Sequence, residues 1–406
     1  MNVLHINGSD LLGGAAIAGY RLHEGLLSQG IESRLLVGDA VTGSDRVALT
    51  PRNPRIEKQT SRLAWRLGLN YINLFSTFKI RQHPFYQSAD ILNFHSLHGG
   101  YFNYLAIPSL TENKPAVWTL HDMWAFTGHC SYSYDCERWK TGCGKCPYPD
   151  TYPAIKRDST RLEWKLKKRA FDRSKLAIVS PSRWLAGLAN ESLLGAHPVS
   201  YIPNGLDTEV FKPLDAEECR LKLGIARDKK VLMFGAQTLS DTRKGGDLML
   251  KALQSLPASL KAETMLLTIG QNSETIAEAV DMQVLNLGYV DSDELKATAY
   301  SAADLFIFPT RSDNLPLVLQ ESMACGTPMV SFKVGGVPEL VRPGITGYLA
   351  RAEDVEDFRN GIVELLSNNM LLDDLGRNCR TIAVEEYSVK LQAERYLELY
   401  SEMLRR

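Results

Sequence analysis

The sequence lacks several features that would narrow its function at once. It has no surplus of charge: 46 Lys and Arg stand against 47 Asp and Glu in 406 residues, a formal net charge of −1. Proteins that coat nucleic acid carry a basic surplus, so nucleic acid is not an expected partner. No apolar run approaches the ~18 residues of a membrane span. The start, Met1-Asn2-Val3-Leu4-His5-Ile6-Asn7-Gly8, lacks the basic and long apolar stretches of a secretory leader. A cytoplasmic location is therefore expected, where the seven cysteines would be thiols or metal ligands before disulfides. Internal repeats and low-complexity segments are absent as well.

What is present is ordinary globular composition at a length that calls for two or three domains. Charge is divided unevenly between the halves. Residues 1–200 hold 24 basic and 16 acidic residues, and the remainder 22 and 31. Only the first half, at +8, is suited to an anionic surface or ligand.

Short β-branched or apolar runs alternate with helical patterns. Strands are predicted at Val3–Asn7, Ser33–Gly38, Ile91–His95, Ala116–Leu120, Ala177–Ser180 and Ser200–Pro203. The pattern restarts with Lys230–Gly235, Met265–Gly270, Val284–Leu287, Leu305–Pro309 and Met329–Phe332. Such alternation predicts parallel sheets covered by helices on both faces. Turn signals at Pro203-Asn204-Gly205 and Pro213 separate a domain over residues 1–205 from one over 206–406. The final helical pattern, near Leu391–Met403, has no strand after it and is expected to cap a domain, the first one being a candidate. Two doubly wound domains would place ligands beyond the carboxyl ends of their strands, in a cleft between them.

The first strand runs into Gly8-Ser9-Asp10-Leu11-Leu12-Gly13-Gly14-Ala15. This is neither the G-x-G-x-x-G fingerprint nor a P-loop. Gly13 and Gly14 would let backbone N–H groups approach an anion at a helix N-terminus, or would simply make a tight turn. His95 and the pair His121-Asp122 end predicted strands, where side chains can reach a ligand. A buried hydrogen-bonded ring is the alternative for each histidine, and more so for His95.

Cys130, Cys136, Cys143 and Cys146 follow the spacing C-x5-C-x6-C-x2-C, in an insertion over residues 128–147. Four thiolates so spaced can hold a structural zinc; packing thiols and disulfides are the alternatives. Arg52 to Arg81 holds seven basic residues and one acid around Trp65, and Lys156 to Lys175 nine and three. Either could lie on an anionic membrane or be a solvated face.

In the second half, Gly235 ends a strand and Arg243-Lys244-Gly245-Gly246 opens a helix. Two fixed cations beside helix N–H groups suit a diphosphate; a solvated turn is the alternative. Asp291 and Asp293 resemble a metal motif less than a helix cap with Glu294. The segment Asp313-Asn314-Leu315-Pro316-Leu317 leads into a helix bearing Glu321. A turn carboxylate and a helix carboxylate could face one ligand, one binding sugar hydroxyls and the other a ribose diol. N–H groups near Asn314, Leu315 and Leu317 open that helix.

Taken together these residues resemble the retaining glycosyltransferases of family 4, which have the GT-B fold of two facing Rossmann-like domains. The resemblance spans essentially the whole chain. It rests on Gly13-Gly14-Ala15, His121-Asp122, Pro181-Ser182, Ile202-Pro203-Asn204-Gly205, Lys244-Gly245, Glu321-Ser322-Met323-Ala324-Cys325-Gly326-Thr327-Pro328 and Gly335-Gly336-Val337-Pro338-Glu339. The cysteine segment is similar to the branch that builds colanic acid and other surface polysaccharides. Two positions depart from the family pattern. Asp313 stands where the family has the first Glu of its E-x7-E motif. Gly235-Ala236 stands for the family's Gly-Arg, with Arg243 as the replacement guanidinium.

The resemblance implies hexose transfer with retention from a UDP- or GDP-sugar bound by the second domain. The first domain would take the acceptor. Lys244 and Arg243 would meet the diphosphate, with no catalytic metal. Glu321 would bind the ribose, and His121 would contact the sugar or position the acceptor. Backbone around Gly288-Tyr289-Val290 would read the base. The branch further implies an acceptor saccharide linked to lipid diphosphate, with the enzyme peripheral at the anionic inner membrane. A GT-B nucleotide-sugar epimerase and a non-catalytic sugar-binding relative are the other readings.

Overall fold

The computed structural model describes residues 1–238, 241–271 and 279–405. The chain forms two compact units, one of Met1–Asn204 with Lys390–Arg406 and one of Gly205–Val389.

The first unit is built on seven parallel strands in the order β3-β2-β1-β4-β5-β6-β7. They are β1 (Asn2–Ser9), β2 (Glu32–Asp39), β3 (Val47–Leu49), β4 (Ile91–Phe94), β5 (Ala116–Thr119), β6 (Leu176–Ser180) and β7 (Val199–Tyr201). Every residue of β4, β5 and β6 is buried, the pattern of strands covered on both faces. The sequence signal missed β3. It has only three residues, all partly or fully exposed, at the sheet's edge, so it carries little apolar pattern.

One face of this sheet is closed from far along the chain. The helix Val389–Arg405 brings Ala393, Tyr396 and Tyr400 against Val3, Ile91, Val117 and Val179. Its tyrosines also reach polar atoms inside the sheet. Asn93 donates to Tyr400 Oη at 2.8 Å, Thr119 Oγ1 donates to Asn93 Oδ1 at 3.0 Å, and Tyr396 Oη lies 2.8 Å from Thr119 Oγ1. Buried hydroxyls and amides need such partners, so the network fixes the helix in one register.

The second unit holds six parallel strands in the order β10-β9-β8-β11-β12-β13. These are β8 (Lys230–Thr238), β9 (Thr264–Gln271), β10 (Gln283–Asn286), β11 (Leu305–Phe308), β12 (Met329–Phe332) and β13 (Gly347–Ala350). Here the sequence reading missed β13, another short edge strand. The chain enters and leaves this unit at one point: Leu206 N donates to Tyr387 O, and Val389 N to Leu206 O, both at 2.9 Å.

In each sheet the strand order reverses beside the first strand of the unit, at β1/β4 and at β8/β11. The crevice beyond the carboxyl ends at such a reversal is where open α/β sheets bind ligands. Among the described residues no helix is long and apolar enough to cross a membrane.

Candidate active site

The loops at the β8/β11 reversal are joined by charge. The turn Thr242–Lys244 follows β8, and Asp313 follows β11. Lys244 Nζ lies 2.8 Å from Asp313 Oδ2, and Arg243 Nη1 donates to Asp313 Oδ1 at 2.9 Å. Thr310 Oγ1 donates to Asp313 Oδ2 at 2.9 Å, and Arg243 also donates to Ser312 O. Both carboxylate oxygens are thus engaged by the cations that the sequence reading assigned to a diphosphate. Burial alone would raise the Asp313 carboxyl, but Lys244 and Arg243 together hold it below its ordinary value. Burial lowers the Lys244 ammonium, with Asp313 opposing.

Two glycines make this approach possible. A Cβ on Gly245, which has φ +75°, would lie 1.8 Å from Pro309 O. A Cβ on Gly335, at φ +52°, would lie 2.0 Å from Asp313 O. Only glycine fits either position. Past Gly245 the helix Gly246–Gln254 begins, and Pro316 precedes the helix Leu317–Ala324. Neither N-terminus has a side-chain cap.

Glu321 sits one helical turn into the second of these helices, buried, with Tyr300 Oη donating to its Oε2 at 3.2 Å. Asn314 and Leu315 are buried in the turn before it. Gly235 lies within β8, and Tyr289 is half exposed after β10.

At the β1/β4 reversal of the first unit, Gly13 takes φ +95° and precedes the uncapped helix Gly14–Ser28. No atom comes within 4 Å of a Cβ built on Gly14, so that backbone stands open. The preceding loop is clasped by Asp10, a residue the sequence reading gave no role. Its carboxylate accepts from Val41 N, Thr42 N and Thr42 Oγ1 at 2.8–3.1 Å.

His121, just past β5, belongs to a line of three imidazoles. His5 Nδ1 is 3.0 Å from His95 Nε2, and His95 Nδ1 is 3.0 Å from His121 Nε2. Strand register explains the line. His5 pairs with Asn93, and Asn93 with Val117. Each ring therefore lies two residues further along its strand than the one before, on the same sheet face. The neighbouring Asp122 is occupied by His98 Nε2 at 2.7 Å and by Trp124 N at 2.8 Å. His5 and His98 carry no local signal in the chain, because only the strand order brings them to the site.

The four clustered cysteines are free thiols. Gly128 N donates to Cys143 Sγ, and His129 Nε2 lies 3.2 Å from Cys146 Sγ. Among the described residues no three His, Cys, Asp or Glu side chains are disposed to hold a metal ion.

Comparison with known proteins agrees with this layout. Residues 12–210 match the model of Glycosyltransferase Family 4, and residues 215–382 that of Glycosyl transferases group 1. The colanic acid biosynthesis glycosyl transferase WcaC of Escherichia coli (strain K12) is 30% identical over 349 residues, 82% of this chain and 83% of that protein. Sucrose-phosphate synthase from Thermosynechococcus elongatus superposes with a TM-score of 0.73 at 18% identity, over the whole of both chains. Anabaena HepE, in complex with UDP-glucose, gives 0.71 at 17%, covering 99% of this chain and 100% of that one. WaaG, a glycosyltransferase involved in lipopolysaccharide biosynthesis, gives 0.67 at 16%, covering 98% and 99%. With its two parallel-sheet units and these matches, the chain belongs to glycosyltransferase family 4 and has the GT-B fold.

Proposed function

We propose that the protein transfers a hexose, with retention, from a UDP- or GDP-sugar to a saccharide carried on lipid diphosphate during surface-polysaccharide assembly. The observation that carries the donor half is the Arg243–Asp313–Lys244 ion group at the β8/β11 reversal. Cleavage of the sugar–phosphate bond leaves positive charge on the sugar ring and negative charge on the departing diphosphate. Two cations fixed before the reaction oppose that charge without reorganising. Asp313 serves to hold them in place and keeps the pair from repelling itself apart. Uncapped N–H groups of the helices Gly246–Gln254 and Leu317–Ala324 supply further donors. Glu321 accepts from the ribose, Tyr289 and its neighbours meet the base, and His121 meets a saccharide hydroxyl. No metal is required in this reading.

The names of WcaC and WaaG support the polysaccharide pathway, and the UDP-glucose bound to HepE supports the donor class. Support for a membrane-borne acceptor comes from the helix Pro54–Arg66 and the turn that follows. Ile56, Leu63, Trp65, Phe75 and Phe78 are exposed there beside Arg55, Lys58, Arg62 and Arg66. Lys156, from the other basic stretch, lies over the Trp65 ring at 4.5 Å. This mix of cations and apolar side chains suits an anionic bilayer surface, with the protein peripheral on the cytoplasmic side. Structural zinc at Cys130, Cys136, Cys143 and Cys146 belongs to the same reading, on the strength of the C-x2-C spacing.

The test is incubation with a panel of UDP- and GDP-sugars, with and without lipid-diphosphate-linked oligosaccharides. Nucleoside diphosphate should appear with acceptor, and the new linkage should keep the donor's anomeric configuration by NMR. Conversion of the donor sugar without any acceptor would overturn transfer in favour of epimerisation.

A further inference from the structure

A further polar group stands beyond the carboxyl ends of β4 and β5, and the proposed donor chemistry leaves it unused. His98 follows β4 and Asp122 follows β5, and the two strands are paired. His98 Nε2 is 2.7 Å from Asp122 Oδ2 and 3.0 Å from Ser96 Oγ. On the other edge of the same ring, His98 Nδ1 lies 3.3 Å from Tyr152 Oη. Three separate segments thus converge: two strand ends, and the end of the cysteine-bearing stretch.

Burial alone would raise the Asp122 carboxyl, but His98 holds it below its ordinary value, so it is ionised near pH 7. Oδ1 accepts from Trp124 N and Oδ2 from His98. A carboxylate offers roughly four acceptor sites, so both oxygens can take a further hydroxyl donor. The side chains of His98 and Asp122 are partly exposed.

Tyr152 is 60% exposed, and its ring stands close to perpendicular to that of His98, with centroids 5.4 Å apart. A Cβ on Gly99 would find only Tyr152 Oη within 4 Å, at 3.8 Å, so the backbone beside the hydroxyl is open. The tyrosine is nonetheless fixed. Ser131 N donates to Tyr152 O at 2.9 Å, and His129 Nδ1 donates to Pro153 O at 2.8 Å. His129 Nε2 in turn lies 3.2 Å from Cys146 Sγ. The cysteine-bearing stretch therefore presents an open aromatic ring beside the His98–Asp122 pair.

An aromatic face with a few fixed polar groups at its side suits a ligand that is apolar on one face and hydroxylated at its rim. A pyranose has C–H bonds on its faces and hydroxyls around its edge. The ionised Asp122 repels a phosphate, so this place suits an uncharged sugar and not a diphosphate.

We infer that Tyr152, His98 and Asp122 form a saccharide subsite within the first unit, and that the cysteine-bearing stretch serves to supply its aromatic platform. Tyr152 stacks on a sugar face, Asp122 accepts from its hydroxyls, and His98 holds the carboxylate and the phenol in place. That this sugar is the acceptor rests on the glycosyl-transfer reading; the subsite itself does not.

The test is saturation-transfer NMR of the full-length protein, without nucleotide, against the methyl glycosides of glucose, galactose, mannose, fucose and N-acetylglucosamine, followed by titration. At least one should bind the wild type, and inorganic pyrophosphate should not displace it. Tyr152→Ala removes an exposed side chain and leaves the core intact. It should weaken that glycoside about tenfold, whereas Tyr152→Phe, which keeps the ring, should stay within about threefold of wild type. In transfer assays Tyr152→Ala should raise acceptor KM about tenfold at unchanged donor KM. Failure of every glycoside to bind, displacement by pyrophosphate, or wild-type affinity in Tyr152→Ala would overturn the subsite. Equal losses in the Ala and Phe variants would overturn it too, because the ring would then contribute nothing. Glycoside binding through Tyr152 without any sugar transfer by the wild type would reject the proposed function and support the subsite.

Discussion

Lys244 Nζ and Asp313 Oδ2 lie 2.8 Å apart, joining the two loops that flank the strand reversal of the second unit. Their side chains are 17% and 10% exposed, so the pair is largely withdrawn from water. An ion pair in that setting is costly to break on one side. It also places the ammonium at a defined point before any ligand arrives.

Lys244→Ala should therefore lower kcat by about 10²-fold or more, because the lost charge acts most strongly on the departing diphosphate. Steady-state kinetics at saturating donor would show it. Asp313→Glu should keep most activity, since a longer carboxylate still spans both cations. Asp313→Ala should lose both activity and thermal stability. Wild-type turnover in Lys244→Ala would remove that residue from the chemistry.

Glu321→Gln should weaken nucleotide-sugar binding by about 1–3 kcal/mol while leaving the fold intact, as expected for the loss of a charged acceptor to ribose hydroxyls. Calorimetric titration with the donor measures this directly. Equal affinity in the two proteins would exclude the ribose contact.

Stability should fall with acidification. His5 and His95 are held well below 6.5 by burial, and burial holds His23 and His121 at about 4. The unfolded chain takes up these protons near its ordinary value, and the folded chain does not. Stability is thus complete above about pH 7 and declines as pH falls toward 4, by up to ~1.4 kcal/mol per pH unit for each such histidine. Glu163, raised to about 7 by burial, works in the opposite sense but as one group against these four histidines and His83, His129 and His197, which burial also lowers. Melting temperatures between about pH 7.5 and 5 should drop, and less steeply in His95→Phe. A flat profile in the wild type would contradict the neutral, buried state of these rings.

Purified protein should contain about one zinc per chain if Cys130, Cys136, Cys143 and Cys146 bind it. Elemental analysis of protein never exposed to chelator is the measurement. Cys143→Ser should release the metal and leave donor affinity unchanged. Substoichiometric zinc in the wild type would refute the site.

Vesicles rich in anionic lipid should sediment the protein at low salt, and neutral vesicles should not. Each Lys or Arg near the surface contributes about 1 kcal/mol, decaying over a Debye length. Replacing Arg62 and Arg66 by Glu should abolish sedimentation without altering transfer to a soluble acceptor analogue. Failure to bind anionic vesicles at low salt would end the membrane reading and leave the transferase assignment standing.

Much of the architecture could be read from the chain because parallel strands buried on both faces are continuous apolar runs. β4, β5, β11 and β12 stand out for that reason. β3 and β13 escaped because short edge strands need no such run. At the site, Arg243 and Lys244 were visible as neighbours in sequence beside glycines. What they do with Asp313 was not, since the contact spans about seventy residues and depends on β8 lying beside β11. His5 was hidden more deeply. It sits mid-strand among apolar residues and gains meaning only from the stagger of three strands. The Asp10 clasp and the tyrosines that bind Asn93 and Thr119 are likewise products of topology, with no local pattern to announce them.

The tyrosine-bearing helix Val389–Arg405 also sets an order of synthesis. A ribosome makes the strands of the first sheet before the second unit, and the helix that covers Val3, Ile91 and Val117 after it. The second unit needs nothing beyond Val389. Begun later, it can be finished sooner. Throughout its translation one face of the first sheet waits with Asn93 and Thr119 unpartnered by their tyrosines, and domains in that condition are the ones that need chaperones. A nascent chain stalled before residue 389 should therefore carry its folding liability in the half that was made first.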